Sequence, residues 1–170
     1  MSTAETIETT QYLTFKLDDE IFALDISKVR EVLDFTTITK VPTTPAFMRG
    51  VINLRGSVVP VVDLRLKFGM TETEKTVNTC VIIVEVTVDN ETTILGALAD
   101  SVQEVLDLEQ GKIEPAPKIG IRLNTEFIRG MGKQNDKFII ILDIDKVFSV
   151  DELALVQVEK TETDTSLAAN

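Results

Sequence analysis

Apolar and polar residues alternate along most of this chain with the period of two that is typical of half-buried β-strands. The pattern predicts a first hairpin from strands at Tyr12–Leu17 and Ile21–Leu24, separated by the polar turn D-D-E. A short helical turn is expected near Lys28, and extended structure resumes at Glu31. Further strands are predicted at 80–88, 92–98, 102–108, 127–133 and 137–142, and helical segments at 143–148 and 151–158.

The most informative stretch is Gly50–Gly69, which predicts a strand, a tight turn, a second strand and a short helix. β-Branched residues crowd both sides of the turn R-G-S, and Asp63 offers a side-chain oxygen to cap the helix that follows. The turn lifts Arg55 to the tip of a hairpin between two apolar strands. Gly56 supplies the backbone freedom that a hairpin corner requires.

Composition favours the same fold class. Of the 170 residues 44% are hydrophobic but only 5% are aromatic and none is Trp, so the core must consist of Val, Ile and Leu, which favour strands. A formal net charge of −11 makes nucleic acid and anionic membrane surfaces poor partners. The polar start of the chain and the absence of a long apolar run predict a cytoplasmic protein without direct membrane insertion.

Two residue types limit the chemistry. The chain has no histidine, which removes the commonest general base, the commonest metal ligand and the phosphoacceptor of histidine kinases. Its lone cysteine, Cys80, lies in an apolar run, where a small buried thiol is the ordinary expectation.

The chain contains an internal repeat. Residues 47–68 align without a gap on residues 127–148, at a constant distance of 80 positions. The segment E-V-L-D at 31–34 recurs at 104–107, in the same order relative to the hairpins. Two repeated blocks in register indicate a tandem duplication. The identical pairs are Phe47/Phe127, Arg49/Arg129, Gly50/Gly130, Asp63/Asp143 and Phe68/Phe148.

The repeat predicts the domain organisation. Short strands at this spacing suit small barrels, and a half of about 60 to 70 residues is too small to be stable without packing on its neighbour. We therefore expect a single domain at 12–158, with barrel subdomains at approximately 12–69 and 79–148 and a C-terminal helix at 151–158. The tails at 1–11 and 159–170 are predicted to be disordered. The assignment of strands to barrels stays open, because duplicated barrels can exchange strands.

Four segments carry a family resemblance: T-P-A-F-M-R-G-V-I-N-L-R-G, V-V-P-V-V-D-L-R-L-K-F-G, A-D-S-V-Q-E-V-L and I-E-P-A-P. From Tyr12 to about Val158 the chain resembles the CheW family of chemotaxis coupling proteins. The resemblance implies a mainly β fold of two five-stranded SH3-like or OB-like barrels on a shared apolar interface. It also implies a non-catalytic adaptor, without cofactor or metal, that couples methyl-accepting chemotaxis receptors to the CheA histidine kinase. Such a protein is cytoplasmic and is recruited to membrane receptor arrays.

The resemblance also implies where partners bind. The matching positions for receptor binding are Val29, Glu31, Gly50, Arg55, Val102 and Val105. Each has an ordinary structural alternative: a solvated charge for Arg55 and Glu31, core packing for the valines, and hairpin geometry for Gly50. The kinase regulatory domain is expected to dock on the N-terminal barrel, end to end, and the sequence names no residue for that contact.

Other function classes fit less well. An oligonucleotide-binding barrel is the alternative, but it needs a basic groove with stacking aromatics, and this chain is acidic with one Tyr. A carboxylate-only hydrolase needs two converging acids, and no acid pair differs from the solvated background. Asp143 and Asp145 lack EF-hand spacing, and the run G-M-G-K lacks the full phosphate-loop spacing.

Overall fold

A computed structural model describes residues 8–115, 125–134 and 136–154. One-turn α-helices cover Leu64–Lys67 and Ile144–Val147, a further helix covers 150–154, and 3-10 helices cover Ile26–Lys28, Gln110–Lys112 and Thr125–Phe127. The strands are β1 (Thr9–Leu17), β2 (Glu20–Asp25), β3 (Val29–Asp34), β4 (Met48–Leu54), β5 (Ser57–Asp63), β6 (Cys80–Val88), β7 (Glu91–Ala99), β8 (Ser101–Glu109), β9 (Ile128–Gln134) and β10 (Lys137–Leu142).

The mainly β prediction is confirmed, and the strands form two five-stranded sheets. Sheet A has the order β8-β1-β2-β10-β9, and sheet B has the order β3-β6-β7-β5-β4. Each sheet combines strands from both of the halves 12–69 and 79–148. The strand exchange that the sequence leaves open is therefore present: β1 and β2 lie in sheet A, whereas β6 and β7 lie in sheet B.

The predicted N-terminal tail is too long. β1 begins at Thr9 rather than Tyr12, because the polar residues Thr9, Thr10 and Gln11 continue the ladder with β8. Residues 1–7 lie outside the described part of the chain, as do the predicted tail 159–170 and the second half of the predicted helix 151–158. Among the described helices, none has the length and apolarity needed to cross a membrane.

The main core lies between the two sheets. Sheet A contributes Phe15 and Phe22, sheet B contributes Ile82 and Leu95, and all four side chains are fully buried. Sequence neighbours of these residues, such as Ala23 beside Phe22 and Val81 beside Ile82, point to the opposite face and belong to two separate clusters. Both faces of the central strands are therefore buried, which explains their continuous apolar runs in the sequence.

Backbone bridges join the edges of each sheet. In sheet B, Thr39 follows edge strand β3 and exchanges two hydrogen bonds of 2.9 and 2.8 Å with Val51 of the other edge strand, β4. In sheet A, Glu114 follows β8 and exchanges bonds of 2.9 and 2.7 Å with Met131 of β9. Each sheet therefore curls toward a barrel, which pairs edge groups that would otherwise be exposed.

Repeat-related glycines make this closure possible. A Cβ atom on Gly50 would lie 2.1 Å from the Thr39 carbonyl oxygen, and Gly50 has a φ of +144°. A Cβ atom on Gly130 would lie 2.4 Å from Cγ2 of Ile113. The first clash is with backbone and the second with a side chain, so Gly50 is the less replaceable of the two.

Lys67, which follows β5 of sheet B, binds the C-terminal helix at 150–154 through Glu152. Lys67 lies with its Nζ 5.2, 5.5 and 5.9 Å from the ring centres of Phe47, Phe127 and Phe148, and it donates a 2.6 Å hydrogen bond to Glu152. The other Glu152 oxygen accepts from the Ser149 backbone N–H at 2.9 Å, and Ser149 Oγ accepts from the Glu152 N–H, which completes a capping box. Burial raises the pKa of Glu152, but the hydrogen bonds from Lys67 and Ser149 together hold this pKa below its ordinary value.

We predict that Gly50→Ala lowers the free energy of unfolding by about 2–4 kcal/mol, because the new methyl group meets backbone at a positive φ. Gly111→Ala is the control, because in the described structure no atom lies within 4 Å of its Cβ position. Urea denaturation measures both variants. An equal, small effect of the two substitutions would contradict the closure role of Gly50.

We predict that Glu152→Gln lowers the free energy of unfolding at neutral pH by about 1–3 kcal/mol, because it leaves a largely buried lysine without its carboxylate. A lowered folded-state pKa stabilises the fold above the unfolded value, 4.5, and this contribution is lost as pH falls through the folded value. The difference between wild type and Glu152→Gln should therefore shrink on acidification. Glu109→Gln, which breaks the exposed pair with Lys112, should change stability by less than about 0.5 kcal/mol.

Candidate functional site

The candidate site centres on the β4–β5 hairpin. Arg55 and Gly56 form its two-residue turn with φ angles of 50° and 90°, the combination of a type I′ turn. Asn53 Oδ1 accepts a 2.7 Å hydrogen bond from the Gly56 N–H. The predicted hairpin with Arg55 at its tip is confirmed, but Arg55 itself has left-handed backbone, which Asn or Gly adopts more readily.

Glu31 holds the Arg55 side chain. The guanidinium donates from Nη1 to Oε1 at 3.2 Å and from Nη2 to Oε2 in a short second bond. The hydrogen bond from Arg55 is the main reason why the pKa of Glu31 lies below its ordinary value. Because Glu31 lies in edge strand β3 and Arg55 follows edge strand β4, the pair spans the gap between the two edges of sheet B.

The pair borders the open end of sheet B. A groove of about 600 Å³ lies there, lined by Glu31 and Arg55, by apolar residues of the sheet B interior, and by Thr92 and Thr93. Arg55 has 70% of its side chain exposed, whereas Glu31 has 31%. Val58 beside the turn is 42% exposed, so the rim of the groove combines a cation, a carboxylate and an apolar residue.

A β-bulge in β3 places the Glu31 side chain on the face of sheet B that lines this groove. Val29 pairs with Val84 of β6, and Glu31 pairs with Ile83, the residue just before Val84. Two steps along β3 therefore correspond to a single step along β6. Without the extra residue, Val29 and Glu31 would share a face. The bulge lets Val29 pack against the core between the sheets while Glu31 takes the face of Ile83.

The second copy carries the same bulge in β8. Val102 pairs with Phe15 of β1, whereas Val105 pairs with Leu13. Thr14, which is 1% exposed, pins the extra residue: its Oγ1 donates to the Glu104 carbonyl at 2.8 Å and accepts from the Glu104 N–H at 3.1 Å. The bulge places Val102 and Val105 on one face of sheet A.

Glu104 is the counterpart of Glu31, and its partner differs. Its Oε2 accepts a 3.3 Å hydrogen bond from the amide of Gln134, which is the counterpart of Leu54. The duplicated site is therefore charged in sheet B and uses a neutral donor in sheet A.

The structure brings only some of the predicted receptor-binding residues together. Glu31 and Arg55 touch directly. Val102 and Val105 lie on the other sheet, where Val102 is partly buried and Val105 is 48% exposed. The Val102 backbone lies within reach of the Cys80 thiol, so β8 begins beside β6. Burial raises the pKa of this thiol. Gly50 is buried, and its Cβ position is occupied by Thr39.

Sequence reasoning missed two exposed valines. Val58 lies at the rim of the groove, and Val32 in β3 is 39% exposed. The repeat could have revealed Val32, because it is the counterpart of Val105 in the segment E-V-L-D. Alternation alone did not reveal Val58, because its strand is apolar on both faces.

Asp63, the last residue of β5, binds several groups at the end of the hairpin away from Arg55. Its side chain caps the helix Leu64–Lys67, as the sequence predicts. It is fully buried and accepts from the N–H groups of Arg65 at 3.0 Å and Leu66 at 3.4 Å. It also accepts from Arg49 Nη1 at 3.0 Å and from both the N–H and Oγ1 of Thr73. The segment at 70–78, between the two predicted subdomains, is thus tied to sheet B through Thr73.

Asp143, the repeat counterpart of Asp63, does not share its capping role. Among the described residues, its side chain makes no capping hydrogen bond to the helix Ile144–Val147. Its nearest cation is Lys146, at 3.9 Å. Arg129, the counterpart of Arg49, instead pairs with Asp25 at 3.4 Å.

Residues 11–152 match the family model described as a CheW-like domain. The chain belongs to the CheW family. It is 37% identical to the chemotaxis protein CheW of Klebsiella aerogenes over 146 residues, which covers 86% of each protein. It is 33% identical to the chemotaxis protein CheW of Helicobacter pylori, over 85% of this chain and 84% of that one.

A solved CheW-family structure shares the fold. The crystal structure of the scaffolding protein TtCheW from Thermoanaerobacter tengcongensis superposes with a TM-score of 0.75 at 36% identity, and the match covers 86% of this chain and 92% of that one. The predicted CheW fold is therefore confirmed.

We predict that the carboxyl group of Glu31 titrates below its ordinary pKa in the wild type and returns to the ordinary range in Arg55→Asn, because the guanidinium hydrogen bonds are the main cause of the shift. NMR titration of the side-chain carboxyl carbons measures this. Arg30→Asn is the comparison variant: Arg30 lowers the pKa of Glu31 only through its charge, as the smallest of the causes, so this substitution should raise that pKa much less than Arg55→Asn does. The same titration curve for Glu31 in wild type and Arg55→Asn would contradict the ion pair.

Proposed function

We propose that this chain is a non-catalytic scaffold that couples methyl-accepting chemotaxis receptors to the CheA histidine kinase. Membership of the CheW family supports the proposal, because its relatives are chemotaxis proteins and TtCheW is a scaffolding protein. The single observation that carries it is the exposed Arg55, held at a hairpin tip by Glu31. On this proposal the protein works in the cytoplasm, at membrane receptor arrays.

The backbone of Arg55 supports a functional reason for this residue. A left-handed φ of 50° is uncommon for residues other than Gly, Asn and Asp, and such backbone strain is frequent at functional sites. Asn or Gly would fit the turn better. Retention of an arginine there is explained if its side chain binds a partner.

The ion pair leaves Arg55 able to bind. A guanidinium has five N–H donors, and Glu31 accepts from two of its nitrogens with one bond each. The remaining donors can reach carboxylates or the free carbonyl groups at a helix end, which a receptor helical hairpin presents at its tip. Glu31 meanwhile orders the side chain before binding, which reduces the entropy lost on association.

The valines supply the apolar part of the proposed receptor surface. Val29 and Val102 are partly buried against the core between the sheets, and Val105 is half-exposed. Their apolar side chains suit a helix that lays its apolar face into a groove. Gly50 contributes to this surface through the barrel closure that positions β4, because its own Cβ position is filled.

The kinase regulatory domain is proposed to dock on the open end of sheet B at the Val58 side of the groove, beside the receptor contact at Arg55 and Glu31. That end presents the groove and the exposed Val58. An apolar residue within a polar rim is the usual composition of a protein interface. Receptor and kinase would then bind to neighbouring parts of one barrel.

We predict that Arg55→Asn weakens binding to a receptor cytoplasmic fragment at least tenfold without loss of thermal stability, because Asn suits the turn but lacks the cation. Lys137→Asn is the matched control: it removes an exposed cation beside the turn of the second hairpin. Pull-down and titration calorimetry, with receptor fragment and kinase regulatory domain separately and together, measure the effect. Binding of neither partner by the wild type would refute the coupling proposal, and unchanged receptor binding by Arg55→Asn would refute the role of Arg55.

A further inference from the structure

The two sheets are built by a reciprocal exchange. The two repeat copies consist of β1–β5 and β6–β10. Sheet B has the order β3-β6-β7-β5-β4 and sheet A has the order β8-β1-β2-β10-β9. The two orders are the same when each strand is replaced by its counterpart in the other copy. In each sheet, the first two strands of one repeat copy pair with the last three strands of the other. The same insertion of a hairpin between the first of three strands and the other two is therefore used twice within one chain.

Only one of these exchanged hairpins lies outside the contiguous part of the fold. Sheet B is built from consecutive strands, β3 to β7, whereas sheet A is built from β1 and β2 together with β8 to β10. We call residues Thr9–Asp25, which form β1 and β2, the exchange hairpin. Within the described residues, the chain passes from sheet A to sheet B at Ile26–Lys28 and returns at Asp100. The exchange hairpin is thus joined to the strands that follow it by three residues.

The exchange hairpin fits into a deep, apolar space between β8 and β10, which we call the slot. Leu13, Phe15 and Phe22 enter the core between the sheets, while Tyr12 and Ala23 enter the interior of sheet A. All five side chains are at most 5% exposed. Without the hairpin, β8 on one side and β10 on the other would both lose their neighbouring strand and this apolar surface would be exposed; an identical hairpin from a second copy has the shape and sequence to cover it.

The connection at Ile26–Lys28 is a surface hinge held by polar contacts. Asp25 accepts from the Ser27 N–H at 2.9 Å and from Arg129 at 3.4 Å, and Lys28 pairs with Asp145 at 2.8 Å. Asp25 ends β2 and belongs to the exchange hairpin, so its pairing with Arg129 forms equally well between two chains. In contrast to the buried slot, the hinge itself contains no buried residue.

We propose that the exchange hairpin can be traded between two copies of this chain, so that each completes sheet A of the other in a domain-swapped dimer. The occupant of the slot is then Thr9–Asp25 of a second copy. The contiguous sheet B, with Glu31 and Arg55, stays intact in such a dimer. The dimer would present two candidate sites on one body, which permits bivalent binding to clustered partners.

A mixed-disulfide experiment with the full chain tests the exchange. Gln11 and Asp107 are exposed, paired positions of β1 and β8, and paired residues of an antiparallel ladder are close enough for a disulfide. One chain carries Gln11→Cys and another carries Asp107→Cys, both with Cys80→Ala. The two are unfolded, mixed, refolded over a range of concentrations and oxidised.

The expected result is a covalent heterodimer that exceeds the two homodimers together in an equal mixture and rises with protein concentration, because random oxidation of these exposed thiols gives as much homodimer as heterodimer, whereas a swapped dimer places Cys at 11 of one chain beside Cys at 107 of the other. A single chain with both substitutions should give an intrachain disulfide in the monomer. A heterodimer that does not exceed the two homodimers at any concentration would overturn the proposal.

Hinge length provides a second, independent readout. Deletion of Ser27 and Lys28 should prevent the hairpin from folding back on its own chain and should shift the protein from monomer to dimer in light scattering. Replacement of the same two residues by alanine keeps the hinge length and removes the ion pair, so this control should stay monomeric at low concentration. A folded monomer of the deletion variant would overturn the assignment of the hinge.

Discussion

The fold depends on one constraint: the central strands of both sheets must bury both of their faces. One face of each sheet packs on the other sheet, and the opposite face lines the interior of its own barrel. Neither sheet could cover its outer apolar face without the other. Each sheet combines strands of both halves, and the closures at Thr39–Val51 and Glu114–Met131 have glycines at equivalent positions, Gly50 and Gly130, where a Cβ atom would clash.

The duplication left a symmetric framework at the centre of the molecule. Phe47 packs on Phe148 with ring centres 5.7 Å apart, and the repeat-related pair Phe127 and Phe68 packs at 5.8 Å. Lys67 breaks this symmetry, since its counterpart is Val147. The lysine lies among three of these rings and holds the C-terminal helix, which one copy alone supplies.

The copies differ in the polar residues of the candidate site. Glu31 binds a cation across the edges of sheet B, whereas Glu104 binds the amide of Gln134. Asp63 ties together a helix, β4 and the segment at Thr73, while Asp143 makes no equivalent cap within the described structure. Shared apolar positions thus preserve the barrels, and differences in the polar positions give the two ends of the molecule different surfaces.

The sequence alone determined the strands, the turn at Arg55, the cap at Asp63 and the family, because these depend on local alternation, local turn chemistry and short motifs. It did not determine sheet membership or which side chains meet, since the partners of β1, Glu31 and Thr14 lie far along the chain. The bulges at Val29 and Val102 shift register by one residue, which reverses the face of every later side chain in the strand. Only the tertiary structure decided that Glu31 meets Arg55, that the Thr39 carbonyl occupies the space where Gly50 would carry a Cβ atom, and that a hairpin of each copy completes the sheet of the other. The physical reason is that burial of apolar surface between distant segments selects these pairings.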